Sequence, residues 1–251
     1  MGGHSHWATT KRHKAVVDAK RGKAFSKIIR EITIAARLGG GDSDTNPRLR
    51  LVISKAKDAN MPADNIKKAI QRGTGEIPGV AYEETILEGY GPNGIALLLE
   101  VATDNRNRTV ADIRHIFSKY GGALAEAGAV SWQFEKKGCI VTARSKVDEE
   151  TLMTVALAAG ADDVRAEDDT YTVLTAPTNF EAVKQAITDH QIAIEHAEVT
   201  SIPSNTITIE EKPAEQVLRL IDKIEDNDDV QKVHANYDIP HEIMEKFAAS
   251  A

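Results

Sequence analysis

The chain is short of cysteine, of long apolar runs and, over its first thirty residues, of acid, and each shortage removes a class of protein. Cys139 is the single cysteine in 251 residues. It cannot close an intramolecular disulfide, which fits a reducing cytoplasm. Its neighbours, Gly138, Ile140 and Val141, read as a strand, so the thiol is expected to be a small buried hydrophobe rather than a nucleophile. No segment reaches the roughly eighteen apolar residues of a membrane-spanning helix, so no membrane partner is expected. The first residues are basic and polar, without the apolar core of a secretory signal. Met1-Gly2 is followed by His6 where a myristoylation motif needs Ser or Thr. These features point to a cytoplasmic protein.

Only Asp18 is acidic in the first thirty residues, and that scarcity belongs to a larger asymmetry. Residues 1–77 hold 16 Lys and Arg against 7 Asp and Glu, and the remainder holds 15 against 31. The net charge of −7 is therefore +9 on the first third and −16 on the rest. A basic segment on an acidic body points to a polyanion at one end, with the body repelling it elsewhere or serving solubility.

Hydrophobic period divides the chain further. Residues 1–17 have no usable period and read as an arm. From Asp18 a helix is expected, with Phe25, Ile28, Ile29, Ile32 and Ala36 on one face. At about 100° per residue, Lys20, Lys23, Lys27 and Arg30 gather on the opposite face. Gly39-Gly40-Gly41 ends the helix. Asn46-Pro47 then supplies a cap and a first-turn proline for a second helix carrying Leu49, Val52 and Ala56. After Asn60-Met61-Pro62 a third helix carries Ile66, Ala69 and Ile70. The pair fits a helix-turn-helix and fits any three-helix bundle equally well. Thr74 to Gly79 reads as a linker.

Beyond it the period changes to two. Thr85–Tyr90 and Ile95–Ala102 read as strands around a Gly91-Pro92-Asn93-Gly94 hairpin turn. A helix at about Val110–Lys119 and a strand at Val130–Glu135 follow. Residues 138–202 give strand Cys139–Ala143, helix Glu149–Ala159, strands Asp163–Ala166 and Tyr171–Thr175, helix Phe180–His190 and strand Ile194–Ser201. That is the β-α-β-β-α-β order of a ferredoxin-like domain. Thr206–Ile209, Ala214–Ile224 and Val230–Ala235 leave a β-α-β remnant that the segment 83–135 needs for completion. The expected class is α+β: a basic helical domain with its arm at 1–77, a discontinuous ferredoxin-like domain at 78–136 plus 203–240, an inserted ferredoxin-like domain at 137–202, and a tail at 241–251.

The strongest chemical signal is the basic series Lys11, Arg12, Lys14, Lys20, Arg21, Lys23, Lys27 and Arg30, which is suited to phosphates and the release of their counterions. Trp7 could stack on an unpaired base. The alternative is a solvated helix face and an aromatic packed on the bundle. Asp104-Asn105-Arg106-Asn107-Arg108-Thr109 offers a secondary anion site at Arg106 and Arg108, or equally a capped turn with Asp104 paired to Arg108. Asp42 and Asp44 lack a third ligand and read as loop polars. A free Gly2-Gly3-His4 terminus could chelate copper(II), but no metal or cofactor is expected as part of the function. His115, His190, His196, His234 and His241 are scattered without a paired carboxylate, Glu149-Glu150 and the acidic run at 226–229 read as solvated, and no enzyme is expected.

Several of these segments also form long recognisable motifs. They are Gly3-His4-Ser5 with Trp7, Lys11 and Lys14, Asp18-Ala19-Lys20-Arg21-Gly22-Lys23, Arg37-Leu38-Gly39-Gly40-Gly41 and Asn46-Pro47-Arg48-Leu49-Arg50. Further on come Ala59-Asn60-Met61-Pro62, Arg72-Gly73-Thr74-Gly75-Glu76, Glu88-Gly89-Tyr90-Gly91-Pro92 and Thr103 to Thr109. Together they resemble the YebC/PmpR family along essentially the whole chain, with Thr10 departing from an expected apolar residue. The resemblance implies a helical domain plus two ferredoxin-like domains, one inserted in the other, and a cytoplasmic DNA-binding transcriptional regulator. Related members, including a mitochondrial translational activator, are ribosome-associated factors that help translation through proline-rich stretches. Three readings stay open: a regulator on double-stranded DNA, a translation factor on ribosomal RNA, and a protein–protein adaptor that meets a ribosome or another protein through its acidic body. For duplex DNA the helices at 47–72 would enter a groove, with Arg48, Arg50, Lys55, Lys67, Lys68 and Arg72 as donors. For RNA the arm and its tryptophan suffice.

Overall fold

A computed structural model describes residues 21–167 and 169–239, the side chains of 21, 22, 211 and 212 excepted. Within them lie seven α-helices and ten strands, a mixed α+β chain with antiparallel main sheets. They divide into two compact units, one of 21–129 with 215–233 and the other of 130–214 with 234–239.

The first unit opens with three helices, α1 (Arg21–Gly39), α2 (Pro47–Asp58) and α3 (Ala63–Thr74). Asn46 caps α2 as its sequence predicts, its side chain accepting from the Leu49 amide at 3.0 Å while its own amide donates to Ala35 and Gly40 carbonyls. One cluster buries Ile28, Ile32, Ala35 and Ala36 of α1 against Leu49, Val52, Ala56, Met61, Ile66 and Ala69. Burial of each Ile, Leu, Val or Met side chain of this seam stabilises by about 1.5–3 kcal/mol, so the three helices are held by it more than by propensity.

The same unit continues with β1 (Glu83–Tyr90), β2 (Ala96–Thr103), α4 (Arg106–Lys119) and β3 (Ala123–Ala125). The β1–β2 hairpin runs in register from Glu83 opposite Thr103 to Tyr90 opposite Ala96. Its turn holds Asn93 at φ 59° and Gly94 at φ 73°, the left-handed pair that this composition favours. Helix α4 begins four residues before Val110, because Asn105 caps it by accepting from the Arg108 amide at 3.1 Å. Its first turn is polar and so carries no apolar period. The third strand beside the hairpin is Ala123–Ala125, pairing Glu88 with Ala125 and Tyr90 with Ala123. The strand expected at Val130–Glu135 is corrected: Ser131–Gln133 form a 3-10 turn, and extended structure starts only at Phe134. Gly121 at φ 80° turns the chain directly out of α4, which brings the shorter segment alongside β1 first.

In the second unit β4 (Phe134–Ala143) is one continuous strand, followed by α5 (Glu149–Ala158), β5 (Ala161–Ala166), β6 (Thr170–Thr175), α6 (Phe180–Asp189) and β7 (Ile194–Pro203). The sheet order is β5-β6-β4-β7, with every neighbouring pair antiparallel. Ile140, Leu152, Ala156, Tyr171, Val173, Phe180, Val183 and Ile187 form its core. Cys139, Val141 and Leu174 lie in a separate small cluster, and Cys139 is fully buried, as expected of a strand hydrophobe.

The remaining elements are β8 (Ile207–Thr208), α7 (Glu211–Glu225), β9 (Val230–Ala235) and β10 (Tyr237–Asp238). Strand β9 completes the first sheet in the order β3-β1-β2-β9. The strand expected at Thr206–Ile209 is present but does not join that sheet. It pairs in parallel with β10 in a two-stranded sheet, Ile207 opposite Tyr237. Apolar residues recur along α7 at Ala214, Val217, Leu218, Leu220, Ile221 and Ile224, all buried.

Candidate nucleic-acid interface

Of the expected phosphate-binding residues, Trp7, Lys11, Arg12, Lys14 and Lys20 lie outside the described residues, as do Gly2-Gly3-His4 and the side chain of Arg21. Lys23, Lys27 and Arg30 lie on α1, on the side away from the Ile28–Ile32 seam, as helical geometry predicts. Lys27 and Arg30 are partly buried there and Lys23 is exposed at the edge. All three meet the turn at 225–229 between α7 and β9.

The reason lies at the end of α7. A helix leaves its last carbonyls without intrahelical partners and carries partial negative charge there. Lys27 donates to the Glu225 carbonyl at 2.9 Å, and Lys23 donates to the Asp226 carbonyl at 2.9 Å with the Asp226 carboxylate 3.6 Å away. Arg30 donates to the Asp228 carbonyl and, at 2.8 Å, to the Asp229 carboxylate. Three cations of one helix therefore close off the C-terminal end of another. Burial pushes the Lys27 pKa down, while the nearby acids Glu225 and Asp228 pull it back up.

Asp229 is the centre of the contact. Only 7% of its side chain is exposed, and its carboxylate accepts from Thr109 at 2.6 Å, Arg30 and Arg108 at 2.8 Å each and Thr103 at 3.2 Å. Burial works against its ionisation, but the Thr109 and Arg108 hydrogen bonds and the charges of Arg30 and Arg108 outweigh it and hold the carboxyl below its usual value. Its backbone is tied as well, with the carbonyl taking the Ala102 amide at 2.8 Å. The sequence reading of 226–229 as a solvated run is thus corrected at Asp229. No local signal pointed there, since Arg108 has Asp104 and Asp112 four residues to either side as nearby acids.

Arg108 bridges Asp104 at 2.7 Å and Asp229, so half of the secondary anion site is already neutralised. Hydrogen bonds to both carboxylates raise its pKa. Arg106 is exposed and makes no ion pair among the described residues. On the other helices Arg48 is engaged by Glu84, Lys55 by Glu31 at 2.9 Å, and Arg50 by the Ser43 and Asp44 carbonyls at 3.0 Å. Lys68 pairs with Asp64 in the open, whereas Lys67 and Arg72 have no side-chain ion pair among the described residues. Arg37 donates to the Tyr82 carbonyl, and the Arg30 guanidinium lies 5.3 Å from the centre of the Tyr82 ring. Asp42 serves its own loop, accepting from the Asp44 amide at 2.9 Å. Among the described residues no cluster of three His, Cys, Asp or Glu side chains could hold a metal ion. Nor is any helix there long and apolar enough to cross a membrane.

Two family models cover this architecture. Residues 5–76 match the N-terminal domain of TACO1/YebC proteins, and residues 82–237 match their second and third domains. The chain belongs to the TACO1/YebC family. A relative from Syntrophus aciditrophicus is 56% identical over 250 residues, 99% of this chain and 100% of its own length. Another from Syntrophobacter fumaroxidans is 55% identical over 249 residues, with 99% and 100% covered. Both are called a probable transcriptional regulatory protein, the name of a regulator rather than an enzyme. The crystal structure of a conserved hypothetical protein from Aquifex aeolicus is similar with a TM-score of 0.80 and 46% identity, over 90% of this chain and 93% of that one. The TACO1/YebC match agrees with the resemblance read from the motifs.

Proposed function

We propose that this chain is a cytoplasmic regulatory protein that binds nucleic acid phosphates through its basic N-terminal end, and that duplex DNA under transcriptional control is its first ligand. The observation that carries the reading is the charge division, +9 over residues 1–77 against −16 over the rest. The names of the relatives support the regulatory role. Lys11, Arg12, Lys14, Lys20 and Arg21 with Trp7 form the proposed entry, continued by Lys23, Lys27 and Arg30. The strand order β5-β6-β4-β7 around two helices supports a ferredoxin-like reading of residues 137–202, and the sheet β3-β1-β2-β9, drawn from both sides of that segment in sequence, supports a discontinuous second α+β domain. In this account the two α+β domains position the basic end.

A second reading is a ribosome-associated translation factor that contacts ribosomal RNA and relieves stalling at proline-rich stretches. One observation favours it. Arg48, Arg50 and Lys55, three of the six donors that a groove-entering α2–α3 pair would need, are already engaged by Glu84, by backbone carbonyls and by Glu31. An extended cationic arm reading single-stranded RNA by phosphate and stacking contacts needs none of them.

Selection of bound fragments from a genomic duplex library, repeated at near-physiological salt, tests the first reading. It predicts enrichment of a shared sequence that survives the salt. Uniform, salt-labile recovery of every fragment would contradict a sequence-reading regulator.

A further inference from the structure

The cationic face of α1 has an occupant already. Lys23, Lys27 and Arg30 each donate to a backbone carbonyl of the 225–229 turn, and Arg30 also meets the Asp229 carboxylate. What the turn presents is chemically close to a nucleic acid backbone: closely spaced oxygen acceptors, with carboxylates at Asp226, Asp228 and Asp229 adding negative charge. The helix end beneath contributes more of the same sign. The contact is polar along its whole length and partly open to water, with the Lys23 side chain 45% and the Asp226 side chain 27% exposed. Such exposed pairs are weak individually and screened by salt, and the more buried Arg30 would trade the Asp229 carboxylate for a phosphate rather than for water. They suit a contact that forms and releases.

We propose that the acidic turn at 225–229 is an internal competitor for the polyanion, holding the Lys23–Lys27–Arg30 face closed until phosphates take its place. This inference rests on the polyanion-binding reading above. The arm makes the first contact, and α1 adds its three cations only after exchanging turn oxygens for phosphate oxygens. Asp229 differs from its neighbours because Thr103, Thr109 and Arg108 keep it paired when Arg30 leaves. The turn therefore stays folded in the released state. Discrimination follows: a short or sparsely charged anion cannot replace several acceptors at once, whereas a continuous phosphate chain can.

The test uses the full chain and a fluorescent random-sequence oligonucleotide of about twenty nucleotides, as single strand and as duplex, at low salt. The variants are Asp226→Asn with Asp228→Asn, Lys23→Gln with Lys27→Gln, and all four together. Glu149→Gln with Glu150→Gln makes the same change in net charge in the other unit. Removing the Asp226 carboxylate, 3.6 Å from Lys23, and the Asp228 charge near Lys27 should tighten binding about five- to tenfold in the turn variant. The gain should vanish when the lysines are also replaced, and the Glu149/Glu150 control should change affinity by less than about twofold. A turn variant that binds no tighter overturns the proposal. So does a gain that persists without the lysines or is matched by the control, since either would mean general repulsion. If none of these chains binds either probe, the polyanion reading falls together with the proposal. Binding by the unaltered chain without improvement in the turn variant removes the proposal alone.

Discussion

Replacing Asp229 by alanine should destabilise the chain more than any other loss of a single surface-loop acid. The carboxylate is 7% exposed and its partner Arg30 is 15% exposed, with 2.8 Å between them. Removing one member of a buried ion pair leaves the other charged and without its partner, at a cost of about 3–5 kcal/mol. Thr103 and Thr109 lose an acceptor in the same event. For a chain of this length that corresponds to a fall of about 10 °C in the thermal midpoint. Asp229→Asn keeps an acceptor for Thr109 and should cost about half as much. Thermal unfolding followed by circular dichroism measures both. Arg30→Met alone and with Asp229→Ala completes a double-mutant cycle, with an expected coupling of about 1–3 kcal/mol. An Asp229→Ala chain within about 1 kcal/mol of the unaltered protein, or strictly additive effects of the two positions, would refute the assignment of Asp229 as the centre of this contact.

Acid should expose the same residue. The Asp229 carboxyl is held below its unfolded value, so its contribution is complete above that value, about 3.8, and is lost as pH falls through the lower folded one. Below about pH 4 the unaltered chain should therefore lose stability faster than Asp229→Asn, and parallel pH profiles would count against the pairing. Gly73→Ala should cost about 1–3 kcal/mol in urea unfolding, because an added methyl meets the Thr33 carbonyl and lies 2.7 Å from the Ala36 side chain where α3 crosses α1. A neutral result would mean that the helices are not in close contact there. Cys139 is fully buried and its thiol is pushed up to about 12, chiefly by burial. A thiol reagent at about pH 8 should label it only after denaturation, and rapid labelling of the folded chain would contradict its placement.

Local rules made much of this fold readable. Asn46-Pro47 marked a helix start, Gly91 to Gly94 marked a hairpin, and the β-α-β-β-α-β order emerged from period alone. Pairing partners were harder. Val130–Glu135 alternates like a strand, yet nothing local reveals that Ala123–Ala125, only three residues long, reaches β1 first. Ile207–Thr208 likewise has strand chemistry, but its partner Tyr237–Asp238 lies some thirty residues along the chain. The candidate site divides the same way. Helical angles placed Lys23, Lys27 and Arg30 on one face, because that depends on one helix only. That the face meets 225–229 depends on a contact about two hundred residues away in sequence, with |i−j| of 203 for Lys23 and 198 for Lys27. A charge count along the chain cannot see that a basic third and an acidic turn neutralise each other in space.

The central claim is that the basic N-terminal end carries a nucleic acid. It is tested most directly by cosedimentation with ribosomes and equilibrium binding to duplex DNA, across a salt series, for the full chain and for a chain lacking residues 1–22. That deletion removes Lys11, Arg12, Lys14, Lys20 and Arg21 together with Trp7. The account predicts that at least one of the two ligands binds the full chain, and that the deletion abolishes this binding or flattens its salt dependence by about three to five units of slope. Undiminished binding by the shortened chain, with the same salt slope, would contradict it.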